Sequence, residues 1–445
     1  MASTAAAPPT RIDRLTPDDH VALATDVGPV PMHVGAVLVL DRRLDPGELA
    51  ARLEERLPAV PRMRQRLQPT PPFGGPPVWV DDHRFDLPNH LAVDPRQVAD
   101  QETLLRLGVE TVCRPLDRDR PLWRAALVDL AGDRSALIVA FHHVLADGIG
   151  GLAVLAALVD EAGAPPPDPE FPRPGPTHRK LVRDAALARL DSLRHPARSL
   201  RRLADALAQL RPSASGRPRR SSLNRPTGPQ RRLLLAQVQL EPLHAAATAR
   251  GATVNDALLA AVGGAAGDLL AERGDPTDEL VVSVPMSART ETTGTSLGNQ
   301  VGAVPLRVPL AGPLDERLAA VAARTRRARA TARGASTAII GPVFRLLART
   351  GAFTWFVNRQ RVVHSFVTNL RGPQERFSLL GAELTEIHPI AMITGNVTVS
   401  FAALSYAGAL DVTILVDPEA FPDAESLRGH LQDRLDELCA LSDET

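Results

Sequence analysis

The chain has 445 residues, enough for two domains that each bury a core, and its 51 Lys+Arg balance 51 Asp+Glu, so no global charge draws it towards nucleic acid. Two cysteines, Cys113 and Cys439, lie far apart without a CxxC or Cys/His pattern, which excludes a disulfide framework and a thiolate zinc site and suits a reducing cytoplasm. The opening MASTAAAPPTRIDRL lacks the regions of a signal peptide, and no apolar run approaches the roughly eighteen residues of a membrane span, so a soluble or peripheral protein is expected.

Apolar runs and helical periodicities alternate along the chain, which predicts mixed α/β layers. Val34 to Leu40 reads as a buried strand, Asp45 to Leu57 as a helix, Gln97 to Cys113 as a second helix and Leu122 to Leu130 as another strand. The apolar run Ser135 to Phe141 reads as a core strand that stops at two histidines, and Ile149 to Ala162 as a helix, so HHVLADG, His142 to Gly148, fills a strand-to-helix loop.

From Gly163 the sequence APPPDPEFPRPGP can continue neither a helix nor a central strand. The expected organisation is therefore an N-terminal half, 1–163, a Pro/Arg-rich linker with a basic helical segment, 164–232, and a C-terminal half, 233–445. Between Arg173 and Arg232 stand 16 Lys/Arg against three Asp. That excess reads as a solvated connector or as a surface for anionic lipid headgroups.

The second half opens with a strand at Leu233 to Leu240 and a short helix. A longer helix runs from Asn255 to about Leu270, capped by Thr253 or Asn255. Strands follow at Leu280 to Val284, Val301 to Pro309, Ser365 to Thr368, Val397 to Tyr406 and Leu410 to Val416, and a terminal helix capped by Asp423 ends the chain.

Histidine accepts and returns a proton near neutral pH, so HHVLADG offers a base. Adjacent histidines leaving a strand point in different directions, so one faces a cavity and the other packs or braces. Asp147 can anchor the loop on an arginine or backbone amides, and Gly148 can make a tight turn. A metal pair would need Asp147 as third ligand and a sharply folded backbone, and two satisfied buried histidines are the plain structural alternative. No metal is assigned.

His142, His143, Asp147 and Gly148 match the HHxxxDG signature of the CoA-dependent acyltransferase superfamily. The chain more narrowly resembles the bacterial wax ester synthase/diacylglycerol acyltransferase family. The resemblance rests on PMHVG at Pro31 to Gly35, PLW at Pro121 to Trp123, VND at Val254 to Asp256 and SLGN at Ser296 to Asn299. Thr368, Asn369, Gly372 and Pro373 continue it, as do Gly395, Asn396 and the SFAALSYAG segment from Ser400. Near the start the chain reads LTPDD, with Asp26 at the later acidic position where relatives often carry glutamate, and no role is assigned there.

The resemblance implies two chloramphenicol-acetyltransferase-like halves with a substrate tunnel between them, and transfer of a fatty acyl group from acyl-CoA to a long-chain alcohol or diacylglycerol. It implies His143 as general base, without an acyl-enzyme, His142 as support, and Asp147 as a structural residue paired with an arginine, for which Arg289 is the candidate. Acyl-CoA is then a substrate and no cofactor is expected. The absence of a GxSxG elbow agrees with direct transfer.

Asn255 is the candidate oxyanion donor and equally a helix cap, with Asp256 beside it as structural support. Trp123 reads as core packing or as lining of an acyl tunnel, and Ser296 and Asn299 as a turn or a substrate contact. The expected location is cytoplasmic, peripheral on the inner membrane face or lipid droplets. Acylation of a soluble natural-product hydroxyl or amine, and a non-catalytic lipid-surface protein, are the other readings.

Overall fold

A computed structural model describes residues 12–146, 148–163, 165, 168, 170–194, 218–287, 301–331 and 344–442. The first part of the chain runs α1 (Pro17–Thr25), β1 (His33–Leu40), α2 (Pro46–Arg56), β2 (Gln65–Gln68), β3 (Val78–Asp81), β4 (Leu91–Val98) and α3 (Gln101–Cys113). It continues with β5 (Trp123–Leu130), β6 (Arg134–His142), α4 (Gly148–Leu158) and α5 (His178–Arg194). The strands of the second part are β7 (Arg232–Gln239), β8 (Glu279–Ser287), β9 (Val301–Pro309), β10 (Ser365–Arg371), β11 (Ser378–Leu379), β12 (Ala382–Ile390), β13 (Val399–Tyr406) and β14 (Ala409–Val416).

These strands form two six-stranded sheets, β11-β12-β1-β6-β5-β4 and β7-β14-β13-β10-β8-β9, beside the small pair β2-β3. A division at residue 233 puts β11 and β12 in the second half, yet β12 pairs antiparallel with β1, from Gly35 opposite Ile390 to Leu40 opposite Leu384. The first sheet is thus completed by a strand from the far end of the chain. Its sequence, AELTEIHPI, mixes charge with apolar residues and gives no core-strand run to read.

Strand alternation gives the first sheet two different faces. Val37, Val39, Ala136, Ile138 and Ala140 pack on α3, whose other neighbours include Leu233 of β7 and Leu415 of β14. Helix α3 therefore lies between the two sheets. Gly108 permits this, because a Cβ there would stand 2.7 Å from Val37 and 3.0 Å from Ile390. The opposite face, with Leu38, Leu40, Leu137 and Phe141, belongs to a separate apolar cluster that includes Val154 and Leu158 of α4.

Two local expectations change, and one left open is decided. The helix expected from Gln97 begins at Gln101, where the Asp100 carboxylate accepts the Thr103 amide at 2.7 Å, because Leu91–Val98 is a strand. β4 is an edge strand whose pairing slips between Asp94 and Gln97, and the slip accommodates Pro95, which cannot donate to a ladder. Asp423 stands at the N-terminus of the helix Ala424–Ala440 but makes no side-chain cap; its carboxylate pairs with Arg273 instead. Thr253, not Asn255, caps the helix Val254–Glu272, in a reciprocal box with Asp256.

That helix is long and apolar enough by composition to cross a membrane, but 72% of its most apolar window is buried inside the protein. Leu258, Leu259 and Val262 are fully enclosed in the second core with Val282, Phe401 and Leu431. It is a core helix.

An ion pair joins the sheets where β12 meets β14. His388 donates from Nδ1 to Asp411 Oδ2 at 2.8 Å, and its Nε2 lies 3.1 Å from Glu386 Oε2. Burial disfavours the charged ring, but the two carboxylates outweigh it and hold His388 at about 9. Because this lies above the ordinary value of 6.5, the pair stabilises the fold fully below about pH 6.5 and loses that contribution as pH rises through about 9. Tm measured from about pH 6 to pH 10 should fall across that window. His388→Leu should flatten the fall and cost about 3 kcal/mol at the acid end, where buried Asp411 would lose its cationic partner and keep only the Gln237 amide. An unchanged slope in the variant would remove His388 as its source.

Candidate active site

β6 pairs antiparallel with β1 so that His142 stands opposite His33. Within β6, Phe141 takes the α4 face, and the pleat therefore sends His142 to the α3 side, where it is 1% exposed. The chain then turns: the Leu145 amide donates to the His142 carbonyl at 2.8 Å and the His143 amide to the Met32 carbonyl at 3.0 Å. His143 leaves the strand at this turn and faces the other way.

Both ring nitrogens of His142 are engaged. Nδ1 accepts the Val144 amide at 3.2 Å, so the proton of the neutral ring lies on Nε2, which donates to Asp26 Oδ2 at 3.1 Å. No lone pair is left for a metal. Asp26 follows α1, and its other oxygen accepts the Met32 amide at 2.8 Å, while Arg118 reaches Oδ2 at 2.7 Å. Burial raises the Asp26 carboxyl, but the His142 hydrogen bond, the Met32 amide and Arg118 together bring it below its ordinary value.

His33 completes the bracing group. Its Nδ1 donates to the Val112 carbonyl at 2.9 Å, and its ring meets that of His142 edge-on at 5.5 Å between centroids. Burial lowers His33 to about 4 and keeps it uncharged. Neither Asp26 nor His33 was assigned a role from sequence. The only signals were the later acidic position and the histidine of PMHVG, and the pairing that unites them spans 116 positions between Asp26 and His142.

His143 lines a cavity of about 160 Å³ that runs between the α4 face of the first sheet and the edge of β10 and β13. Leu38, Leu137, Leu155, Leu384 and Leu404 are typical of its walls; among the described residues His143 and Thr368 are the only polar side chains lining it. Gly35 keeps the sheet closed behind it, since a Cβ there would stand 2.2 Å from the Val139 carbonyl oxygen. Gly148 opens α4 against β10, where a Cβ would stand 2.8 Å from the Leu370 methyls. This close approach, rather than a tight turn, accounts for glycine at that position.

The remaining candidates separate. Trp123 does not line the cavity: it is 2% exposed, its Nε1 donates to the Met63 carbonyl at 2.7 Å, and its ring stacks on His90 at 4.7 Å. An indole needs a partner for its N–H when buried, and Met63 supplies it, so Trp123 is a core residue. Asn255 stands in the first turn of Val254–Glu272 and does not line the cavity either. Asp256 is a buried capping residue, its Oδ2 accepting from the Thr253 amide at 2.9 Å and hydroxyl at 2.7 Å. Asp147, Arg289, Ser296 and Asn299 lie outside the described residues.

Two sheets with a paired-histidine loop against the cavity between them define the two-halved architecture of the chloramphenicol-acetyltransferase type. The structure superposes on the wax ester synthase/diacylglycerol acyltransferase from Marinobacter aquaeolei with a TM-score of 0.67 at 21% identity, covering 97% of this chain and 100% of that one. It also superposes on the condensation domain of the monacolin K polyketide synthase, with a TM-score of 0.64 at 16% identity over 97% and 98% of the two chains.

The sequence model of the wax ester synthase/diacylglycerol acyltransferase catalytic domain matches residues 15–258, and that of the WS/DGAT C-terminal domain matches residues 297–439. The chain belongs to this family and is an acyltransferase. It is 29% identical over 450 residues to a probable diacylglycerol O-acyltransferase of Mycobacterium tuberculosis, spanning 96% of this chain and 93% of the relative. A putative diacylglycerol O-acyltransferase of the same organism is 30% identical over 466 residues, spanning 96% and 97%.

The bracing geometry makes Asp26 testable. Asp26→Asn removes the carboxylate on which the His142 Nε2–H rests and frees the loop that carries His143. With the fold intact by circular dichroism, kcat should fall about 10- to 100-fold, the cost of misplacing a reacting group by an ångström or less. Full activity would show that the brace does not position the loop.

Proposed function

We propose that the protein transfers a fatty acyl group from acyl-CoA to the hydroxyl of diacylglycerol or a long-chain alcohol, with His143 as general base. The observation that carries this reading is the cavity: almost wholly apolar, and lined by His143 as its one titratable side chain among the described residues. Such a cavity favours acyl and alkyl chains over a polar natural-product acceptor, because it offers that acceptor almost no hydrogen-bonding partners.

In this reading the acceptor hydroxyl gives its proton to His143 as its oxygen attacks the thioester carbonyl. The tetrahedral intermediate collapses, the carbon–sulfur bond breaks, and the imidazolium returns the proton to the departing CoA sulfur. His142 and Asp26 hold the loop that presents the base. Direct transfer is supported by the state of the thiols: burial pushes Cys113 up to about 11 and also raises Cys439, so neither is an activated nucleophile. Acyl-CoA is a substrate, and the chemistry needs no cofactor. The relatives' names as diacylglycerol O-acyltransferases support triacylglycerol as a product. Because such acceptors dissolve in membranes, the reading places the enzyme in the cytoplasm, peripheral on the inner membrane face or on lipid droplets.

Purified protein given palmitoyl-CoA with competing hexadecanol and diacylglycerol should release CoA and form wax ester or triacylglycerol, resolved by chromatography. His143→Ala should lower the rate about 10²- to 10⁴-fold with the fold retained. Unchanged CoA release in that variant would remove His143 as the base, and formation of neither ester would favour a soluble acceptor.

A further inference from the structure

A second basic stretch lies in the C-terminal part. From Glu316 to Glu375 the sequence holds eleven arginines and no acidic residue between those two glutamates. Within it, residues 344–349 and Ala352–Val357 form two short helical pieces. Phe344 meets the rings of Phe353 and Phe356 at 5.4 and 5.6 Å, and Phe353 is buried. These three rings hold the pieces to each other. The residues left facing water are large and apolar: Leu346 is 63% exposed, Trp355 62% and Val362 55%.

Arg345, Arg349, Arg359 and Arg361 stand beside them in the sequence, and none forms an ion pair with an acidic side chain among the described residues. The Arg359 guanidinium instead lies over the Trp355 ring at 5.3 Å. Within the described part of the basic segment 173–232, by contrast, Arg173, Arg219, Arg231 and Arg232 stand within ion-pair distance of Asp81, Asp278, Asp417 and Glu425. Exposed aromatic and aliphatic groups beside unneutralised arginines match an interface that is apolar within and anionic at its surface. An acidic protein groove would satisfy the arginines but leave a mostly exposed indole without a stated place.

This surface adjoins the active site at two points. Burial, and after it the nearby Arg345 and Arg349, holds half-buried His20 of α1 below its ordinary value, and His20 is six residues, roughly 9 Å along a helix, from Asp26. At the other point, the Asn396 amide donates to the Val357 carbonyl at 3.2 Å, and Gly395, at φ +62°, has Val357 where a Cβ would sit. The same loop begins at Ala391, which lines the cavity.

We propose that Leu346, Trp355 and Val362, flanked in the sequence by Arg345, Arg349, Arg359 and Arg361, form the surface by which the protein seats itself on an anionic phospholipid layer. This inference rests on the reading that the acceptor is a membrane-dissolved lipid. The three apolar anchors enter the headgroup region, the arginines meet phosphate, and the cavity is held next to the layer that supplies its substrate.

The test uses the full chain and vesicles of phosphatidylcholine, with or without phosphatidylglycerol. Partitioning should rise with phosphatidylglycerol and fall with salt, and the exposed Trp355 should give a blue-shifted emission, since Trp79 and Trp123 are already buried. Leu346→Ala with Trp355→Ala should lower the partition coefficient about tenfold or more, and replacing the four arginines by glutamine should abolish the preference for phosphatidylglycerol. Both variants should keep wild-type turnover of a short-chain, water-soluble acceptor, which excludes misfolding. The exposed Leu187 and Leu190 of α5 provide the comparison. Partitioning unaffected by the Leu346/Trp355 change, or lost only on changing Leu187 and Leu190, would overturn the proposal. Vesicle binding through this surface without formation of either ester would instead count against the substrate reading alone.

Discussion

Neighbouring residues of a strand face opposite sides of its sheet, and the site depends on this pleat at the end of β6. His142 is the last strand residue and takes the α3 side; His143 begins the turn and reaches the cavity on the other. The first is enclosed and held at both nitrogens, whereas the second borders the apolar cavity. Two chemically identical side chains acquire different roles because one residue of chain separates them. Shifting the β1–β6 register by one residue would exchange their surroundings and move Asp26 out of reach.

That register is stabilised from a distance. β12 closes the first sheet beside β1 and also touches the second sheet through the His388–Asp411 pair and the bond from the Thr413 hydroxyl to the Pro389 carbonyl at 2.6 Å. The wall of the cavity opposite His143 is built from β12, β10 and β13, which belong to the C-terminal part. Neither sheet alone encloses the site. The apolar core of the second part, centred on Val254–Glu272, serves chiefly as the rigid body against which those strands are set.

The periodic signals in the sequence located most strands and helices within a few residues, because apolar alternation reports local burial directly. β4 and β12 escaped for a common reason: each is at or near a sheet edge and carries charge or proline, so its place is set by its neighbours and not by its own pattern. Trp123 illustrates the same limit for the site. Its motif singled it out, but only the neighbouring Met63 carbonyl and His90 ring show that the indole is spent on packing. Asn255 lost its capping role to Thr253 because a cap depends on which residue just precedes helical geometry, and the residue types allowed either.

By itself the sequence determined the family, the mixed α/β class, and the loop HHVLADG as the candidate site, since these follow from local residue order. Which histidine faces the cavity, what braces the other, and that the cavity is apolar were decided by tertiary structure. Asp26, His33, Thr368 and Leu384 are dispersed along the chain, and they form one site only through the pairing of β1 with β6 and β12 and the approach of β10. The physical reason is that a hydrogen bond, a buried charge and an enclosed volume are properties of groups in space, and no pattern in residue order records them.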